Sequence, residues 1–190
     1  MTAAVNGTPS KDDWTSKDLD RLPEDGVRRE IFDGVLRVTP SPSSVHQSLA
    51  LLLGAAMIRN CPEHLFVTQA NDVVIDPRRR FIPDLLVVSF EAAQAGGGKF
   101  AAADVVLAAE IVSPSTKNID NVTKPHYYAR AGIPFYWLIE TSDGLSVTAF
   151  ERNPDGAYEP IASFSGDDTI RLDRPWQIEI PLKNVRPRNL

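Results

Sequence analysis

The stretch DVVLAAEIVS, residues 104–113, constrains the fold more than any other part of the chain. From Val105 onward it is apolar on both faces, the pattern of a strand covered on each side, yet Glu110 stands inside it. A carboxylate buried there without a partner is very costly. Two further runs share the apolar character, IPDLLVVS (82–89) and IPFYWLIE (133–140), and the first carries a second carboxylate, Asp84, near its start. Strands of this kind need cover on both faces. The class is therefore α/β (α+β), a central mixed β-sheet flanked by helices.

The intervening segments supply the helices and the sheet edges. WTSKDLDRLPEDG predicts a short helix started by Thr15 or Ser16 and stopped before Pro23. RREIFDGVLRVTP predicts an N-terminal hairpin turning at Asp33-Gly34. VHQSLALLLGAAMIRN has apolar residues at helical spacing and a cap in Ser43 or Ser44. LFVTQANDVVID reads as one strand, DPRRRF as a turn and AQAGGGK as a flexible loop. NVTKPHYYARAG predicts a helix ended by Gly132. GLSVTAFER and GAYEPIASF form a C-terminal hairpin, and residues 171–190, spaced by prolines, read as an extended tail.

The 190 residues suit one domain over 14–190, with the small, polar residues 1–13 as a flexible tail. A formal net charge of −5 argues against a protein that coats nucleic acid, since affinity there comes mainly from neutralising phosphates. A metal-dependent nuclease stays open, because its site gathers carboxylates and needs only a local basic patch. Arg78-Arg79-Arg80 and the set Lys117, Lys124, His126 and Arg130 are two such patches. Taken alone, each reads as a solvated turn or helix face. The chain has no apolar run of about 18 residues, no basic-then-apolar start and a single cysteine, Cys61. Those features predict a cytoplasmic protein without a membrane span, disulfide or structural zinc.

The spacing of Asp84 and Glu110 leaves room for a strand, a loop around Gly96-Gly97-Gly98 and an antiparallel return. The two carboxylates then sit side by side at one end of the sheet. One of them must hold a proton unless a cation intervenes. Such oxygen ligands suit Mg²⁺ or Mn²⁺, ions that polarise a phosphate and activate water. The plainer alternative has Asp84 capping a turn and Glu110 paired with an arginine. Lys124 belongs to the helix that packs back beside the Glu110 strand. There it either offsets charge developing at phosphorus or pairs with Asp120 across one turn of an exposed helix face.

IPDLLVVS, AEIVSPST and K…YYARAGIPFYWLIE together resemble the Uma-two family of bacterial restriction-type endonucleases, a branch of the PD-(D/E)XK superfamily. REIFDGVL resembles that family's Glu-x-x-x-Gly hairpin, and SPSSVHQ its Ser-Pro followed by His. The resemblance implies a restriction-endonuclease-like core and a DNA substrate. It implies that Asp84, Glu110 and the backbone carbonyl of Ile111 hold Mg²⁺ (or Mn²⁺), with Glu30 as a further acidic ligand. It also implies a site role for His46 and a possible homodimer. Val112 stands where the simple pattern has lysine, and the resemblance assigns that role to Lys124. Pro125 then disfavours helical geometry at Lys124 and displaces its amine. Gln69 reads as an edge-strand residue, Tyr127, Tyr128, Tyr136 and Trp137 as core packing, and Ser113-Pro114-Ser115 as the end of the strand. The rival function is a nuclease-fold binding or regulatory module without activity, and a third is an enzyme on RNA or a nucleotide.

Overall fold

A computed structural model describes residues 13–23, 25–113 and 117–190. The chain starts with a short helix α1 (Ser16–Leu19), the strands β1 (Arg28–Phe32) and β2 (Val35–Thr39), and a long helix α2 (Ser44–Ile58). Strands β3 (Leu65–Gln69), β4 (Asp72–Asp76), β5 (Arg79–Phe81) and β6 (Leu85–Ser89) follow, then helix α3 (Phe90–Ala95) and strands β7 (Lys99–Ala101) and β8 (Val105–Ile111). A π-helical turn at Ile119–Thr123 leads into helix α4 (Lys124–Arg130). The chain ends with β9 (Phe135–Glu140), β10 (Ser146–Arg152), β11 (Tyr158–Ser165), β12 (Thr169–Leu172), β13 (Ile178–Pro181) and the single turn α5 (Leu182–Val185).

Local chemistry accounts for most of these boundaries. Asp33 and Gly34 both have positive φ, +52° and +85°, the geometry of a two-residue hairpin that matches strand twist. Ser43 caps α2, its hydroxyl accepting the His46 N–H at 3.2 Å. Four expectations need correction. LFVTQANDVVID is two strands, because Ala70 turns left-handed (φ +53°) between β3 and β4 and sends them into different sheets. DPRRRF carries strand β5 after its turn. AQAGGGK begins inside α3, which Ser89 caps by accepting the Ala92 N–H at 3.2 Å. Residues 171–190 are not an extended tail: β12 and β13 pair Ile170 with Ile180 and Leu172 with Ile178. Of the prolines that suggested extension, Pro175 falls in the connecting turn, Pro181 at the strand end and Pro187 beyond α5. Of the expected 1–13 tail only Asp13 is described, and of Ser113-Pro114-Ser115 only Ser113; the remainder lies outside the described residues.

A six-stranded sheet in the order β11-β10-β9-β8-β6-β3 forms the central layer, with β8 and β9 parallel and the other neighbours antiparallel. Alternation divides its strands cleanly between two faces. Leu85, Val87, Leu107, Ala109, Trp137 and Ile139 pack on Leu49, Leu53 and Met57 of α2 and on Trp176, Ile178 and Leu182 of the C-terminal segment. Leu86, Val88, Ala108 and Tyr136 face the other way, onto Tyr128 of α4 and onto Val73, Phe81 and Phe100 of a second sheet. That sheet has the order β2-β1-β5-β4-β7. Gly54 lets α2 approach β6 closely, since a Cβ there would lie 3.1 Å from Leu85 Cδ2. Among the described residues no helix is long and apolar enough to cross a membrane.

Candidate active site

The antiparallel register of β6 on β8 pairs Leu85 with Ala109. One residue further along each strand, Asp84 and Glu110 share the face turned toward α4 and β1. The Asp84 N–H extends the ladder by donating to Ala109 O at 3.1 Å. The Ile111 N–H donates to Asp84 Oδ2 at 2.8 Å, so the backbone of one acidic strand binds the side chain of the other. Glu30 enters from β1, its Oε1 accepting the Ile82 N–H at 2.8 Å. Lys124, at the start of α4, places Nζ 3.0 Å from both Glu30 Oε1 and Glu110 Oε1 and 3.7 Å from Asp120 Oδ1. One turn on, the Tyr128 hydroxyl donates to Glu110 Oε1 at 2.9 Å.

Two more groups close on Asp84. His46, in the first turn of α2, has Nε2 3.0 Å from Asp84 Oδ2. Arg28, two residues before Glu30 on β1, has Nη2 3.1 Å from Asp84 Oδ1 and also donates to Ile82 O. Together with the Pro40–Ser43 loop these side chains line a cleft of about 200 Å³. Sequence reasoning found Asp84, Glu110, Lys124, Glu30, His46 and Ile111, and the fold gathers all six here. It missed Arg28, Asp120 and Tyr128 as site residues. Arg28 was legible as the strand position two from Glu30, on the same face, and Tyr128 as the helical position four from Lys124. Asp120 was noticed but read as half of an exposed pair; it is 2% exposed, and Lys124 is 3% exposed. Lys124 is thus no part of a solvated basic face. Gln69 is exposed on the edge strand β3, outside the lining of the cleft.

The expected displacement of Lys124 by Pro125 does not occur. Lys124 holds right-handed helical angles (φ −63°, ψ −48°) despite the proline after it. Pro125 falls in the first turn of α4, where its missing donor is not needed. The preceding π turn inserts one extra residue and so resets which side chains face the cleft. The Tyr136 hydroxyl anchors that turn by donating to Asp120 O at 2.6 Å, so Tyr128 and Tyr136 do more than fill the core.

The charges do not balance. Glu30, Asp84, Glu110 and Asp120 are all buried, and they face two permanent cations, Lys124 and Arg28. Burial pushes the Glu110 carboxyl well above its usual range; Lys124 opposes the rise, while Asp120, Asp84 and Glu30 add to it. Burial pushes Asp84 the same way, but the His46 hydrogen bond and charge, with Arg28 and Lys124, outweigh it and hold Asp84 below its usual value. Burial alone would lower Lys124, yet the surrounding carboxylates raise it and keep the ammonium charged. Neighbouring carboxylates with pKa values pushed apart are a common mark of acid–base sites.

This donor set fits a hard divalent cation chemically. It offers carboxylate oxygens in excess over the cations present, and both contacts to Glu110 fall on Oε1. Lys124 and Arg28 stand between the carboxylates, and among the described residues no three His, Cys, Asp or Glu groups converge as a ready-made cage. The basic triplet does not contribute. Arg78 pairs with Asp13, Arg79 with Asp33 and Asp76, and Arg80 with Asp20 and Asp72.

Comparison with known proteins gives a likeness of fold and a family. Among solved structures, a "putative nuclease belonging to DUF820" from Anabaena variabilis ATCC 29413 superposes with a TM-score of 0.70 at 15% identity. The match covers 90% of this chain and 96% of that one, a likeness of fold. No curated protein matches the chain. A family model described as "Uma2: Putative restriction endonuclease" matches residues 16–183, which include every residue of the cleft, and the chain therefore belongs to the Uma2 family.

Proposed function

We propose that this chain is a divalent-cation-dependent nuclease that hydrolyses phosphodiester bonds of DNA. One observation carries the reading: Asp84 and Glu110 lie side by side at the end of β6 and β8, with the Lys124 ammonium 3.0 Å from Glu110. Asp84, Glu110 and the Ile111 carbonyl would hold Mg²⁺ or Mn²⁺, with Glu30 beside them. Such an ion, when bound, polarises the scissile phosphate and lowers the pKa of water. Lys124 orients the attacking water and offsets the charge that develops on the phosphate. Arg28 and His46 fix the Asp84 carboxylate in its ionised form, and Tyr128 fixes one oxygen of Glu110. The test is isothermal titration of Mn²⁺ and Mg²⁺ into wild type, Asp84→Asn and Glu110→Gln, paired with a supercoiled-plasmid nicking assay. The reading expects metal-dependent nicking in wild type and its loss in both variants. Nicking that survives in both places the chemistry elsewhere.

A second reading has one specific observation in its favour. Both Asp84 oxygens are already engaged, by Arg28, His46 and Ile111, and Lys124 bridges Glu30 and Glu110. A site so internally satisfied suits a nuclease fold that binds nucleic acid or a partner without cutting. Metal titration that shows no binding in wild type favours this second reading.

A further inference from the structure

Across α4 from the carboxylate cluster, a groove of about 590 Å³ opens between that helix and strands β9, β10 and β11. It is larger than the cleft at Asp84 and lies within the usual range for small-molecule sites, about 300–1,000 Å³. Its apolar wall is aromatic. The rings of Tyr136 and Tyr158 stack with centroids 5.6 Å apart at 22°, and Phe150 packs on Tyr136 at 5.9 Å. Its polar wall is basic. Arg130 is exposed in the last turn of α4, and Arg152 reaches in from the end of β10, where its Nε donates to Ala129 O at 2.6 Å.

What sets these two arginines apart from most in the chain is that no carboxylate among the described residues neutralises them. In this acidic chain Arg28, Arg29, Arg78, Arg79, Arg80, Arg174 and others each meet a carboxylate. Arg130 and Arg152 meet none among the described residues, although Asp155 also lines the groove. Asn121 lines it too, and among the described residues its Oδ1 has no hydrogen-bond partner. Uncompensated guanidinium groups beside a stack of aromatic rings are the chemistry that recognises a phosphate joined to a base.

We propose that this groove binds a nucleotide unit, its phosphate on Arg130 and Arg152 and its base against Tyr158 and Phe150. The groove shares a structural element with the carboxylate cleft. Asp120 of the π turn faces Lys124, while its neighbour Asn121 lines the groove, and Tyr136 ties the two together through Asp120 O. An occupant therefore touches the turn that sets Lys124. The nucleotide can be free or part of a single strand, and the two sources are separable.

The experiment is isothermal titration of dAMP and, separately, of an eight-nucleotide single-stranded oligo-dA, each in EDTA to remove divalent ions. Proteins are wild type, Arg130→Glu, Arg130→Lys and Glu110→Gln, each checked for folding by thermal melting. Arg130 is exposed, so its variants keep the core. The proposal expects saturable binding of at least one probe to wild type and loss of about tenfold or more in Arg130→Glu. Arg130→Lys recovers part of that loss, and Glu110→Gln binds as wild type does. Binding of dAMP identifies a free-nucleotide site; binding of the oligomer alone places the groove on the path of a strand. No saturable binding of either probe overturns the proposal, as does binding indifferent to Arg130→Glu. Binding lost in Glu110→Gln also overturns it, by moving the nucleotide into the carboxylate cleft. The divalent-free condition keeps this outcome separate from the nuclease test.

Discussion

At the residue scale the site is a negotiation between burial and charge, and Glu110 bears most of the cost. Its carboxyl is pushed above its usual range, so the native state holds a proton that the unfolded chain releases. Its contribution to stability is present below the unfolded value near 4.5 and is lost as pH rises toward the folded value. Glu110→Gln removes that loss. The variant should melt above wild type at pH 8 by a few degrees, about 2–4 °C per kcal/mol for a chain this long, with a smaller gap at pH 5, while metal-dependent nicking disappears. A melting difference that does not grow with pH contradicts the assignment. Lys124→Met acts in the opposite direction. It leaves Glu30, Glu110 and Asp120 without their shared cation and should cost about 3–5 kcal/mol in denaturant unfolding. Adding Glu110→Gln to Lys124→Met should recover part of that cost, and a double-mutant cycle measures how much. The sequence exposed Glu110 because a charge inside an apolar strand has no cheap explanation. Arg28 was legible only as a neighbour of Glu30 on one strand face; its contact with Asp84 is long-range and appears only in the fold.

At the element scale the π turn at Ile119–Thr123 decides whether Lys124 reaches the carboxylates of the cleft. Sequence reasoning saw Lys124-Pro125 and expected a displaced lysine, since a residue before proline avoids helical angles. It had no means of reading a π turn, which carries no composition signature and is held by a tertiary contact, Tyr136 to Asp120 O. The hairpins and α2 were legible because their signals are local: Asp33-Gly34, Ser43 and period-3.6 apolar residues. Deleting Val122, which is 67% exposed, should convert the π turn to α geometry. The residues before Lys124 would then rotate relative to α4 by about 100°, breaking either the Asp120–Lys124 contact or the Tyr136 anchor. Nicking should fall to background in the deletion variant, while Val122→Ala keeps wild-type activity and melting. Equal activity in both variants would show that the turn does not position the lysine.

At the scale of the whole molecule, the parts that the sequence hid are those whose meaning is long-range. LFVTQANDVVID looks continuous because both of its halves are strand-like; only the assembled fold sends β3 and β4 to different sheets. Residues 171–190 looked like a tail because they are rich in proline, yet Trp176, Ile178, Ile180, Leu182 and Val185 are all buried in the core under the central sheet. Each such side chain contributes about 1.5–3 kcal/mol, and together they rival the total stability of a typical domain, about 5–15 kcal/mol. Truncation after Asp168 should therefore abolish cooperative melting. The net charge of −5 leads to the last prediction. Arg28 and Lys124 at the cleft are committed to carboxylates, and the Arg78–Arg80 triplet is paired throughout. Few free cations therefore line the cleft to release counterions from a duplex, and each phosphate contact adds about 0.9 to the slope of log K against log salt. Duplex binding to a nicking-deficient Glu110→Gln variant, measured by fluorescence anisotropy across a salt series, should give a slope no steeper than about −3. A slope near −6 or beyond would require cations from outside the cleft, or ion pairs that open when DNA arrives.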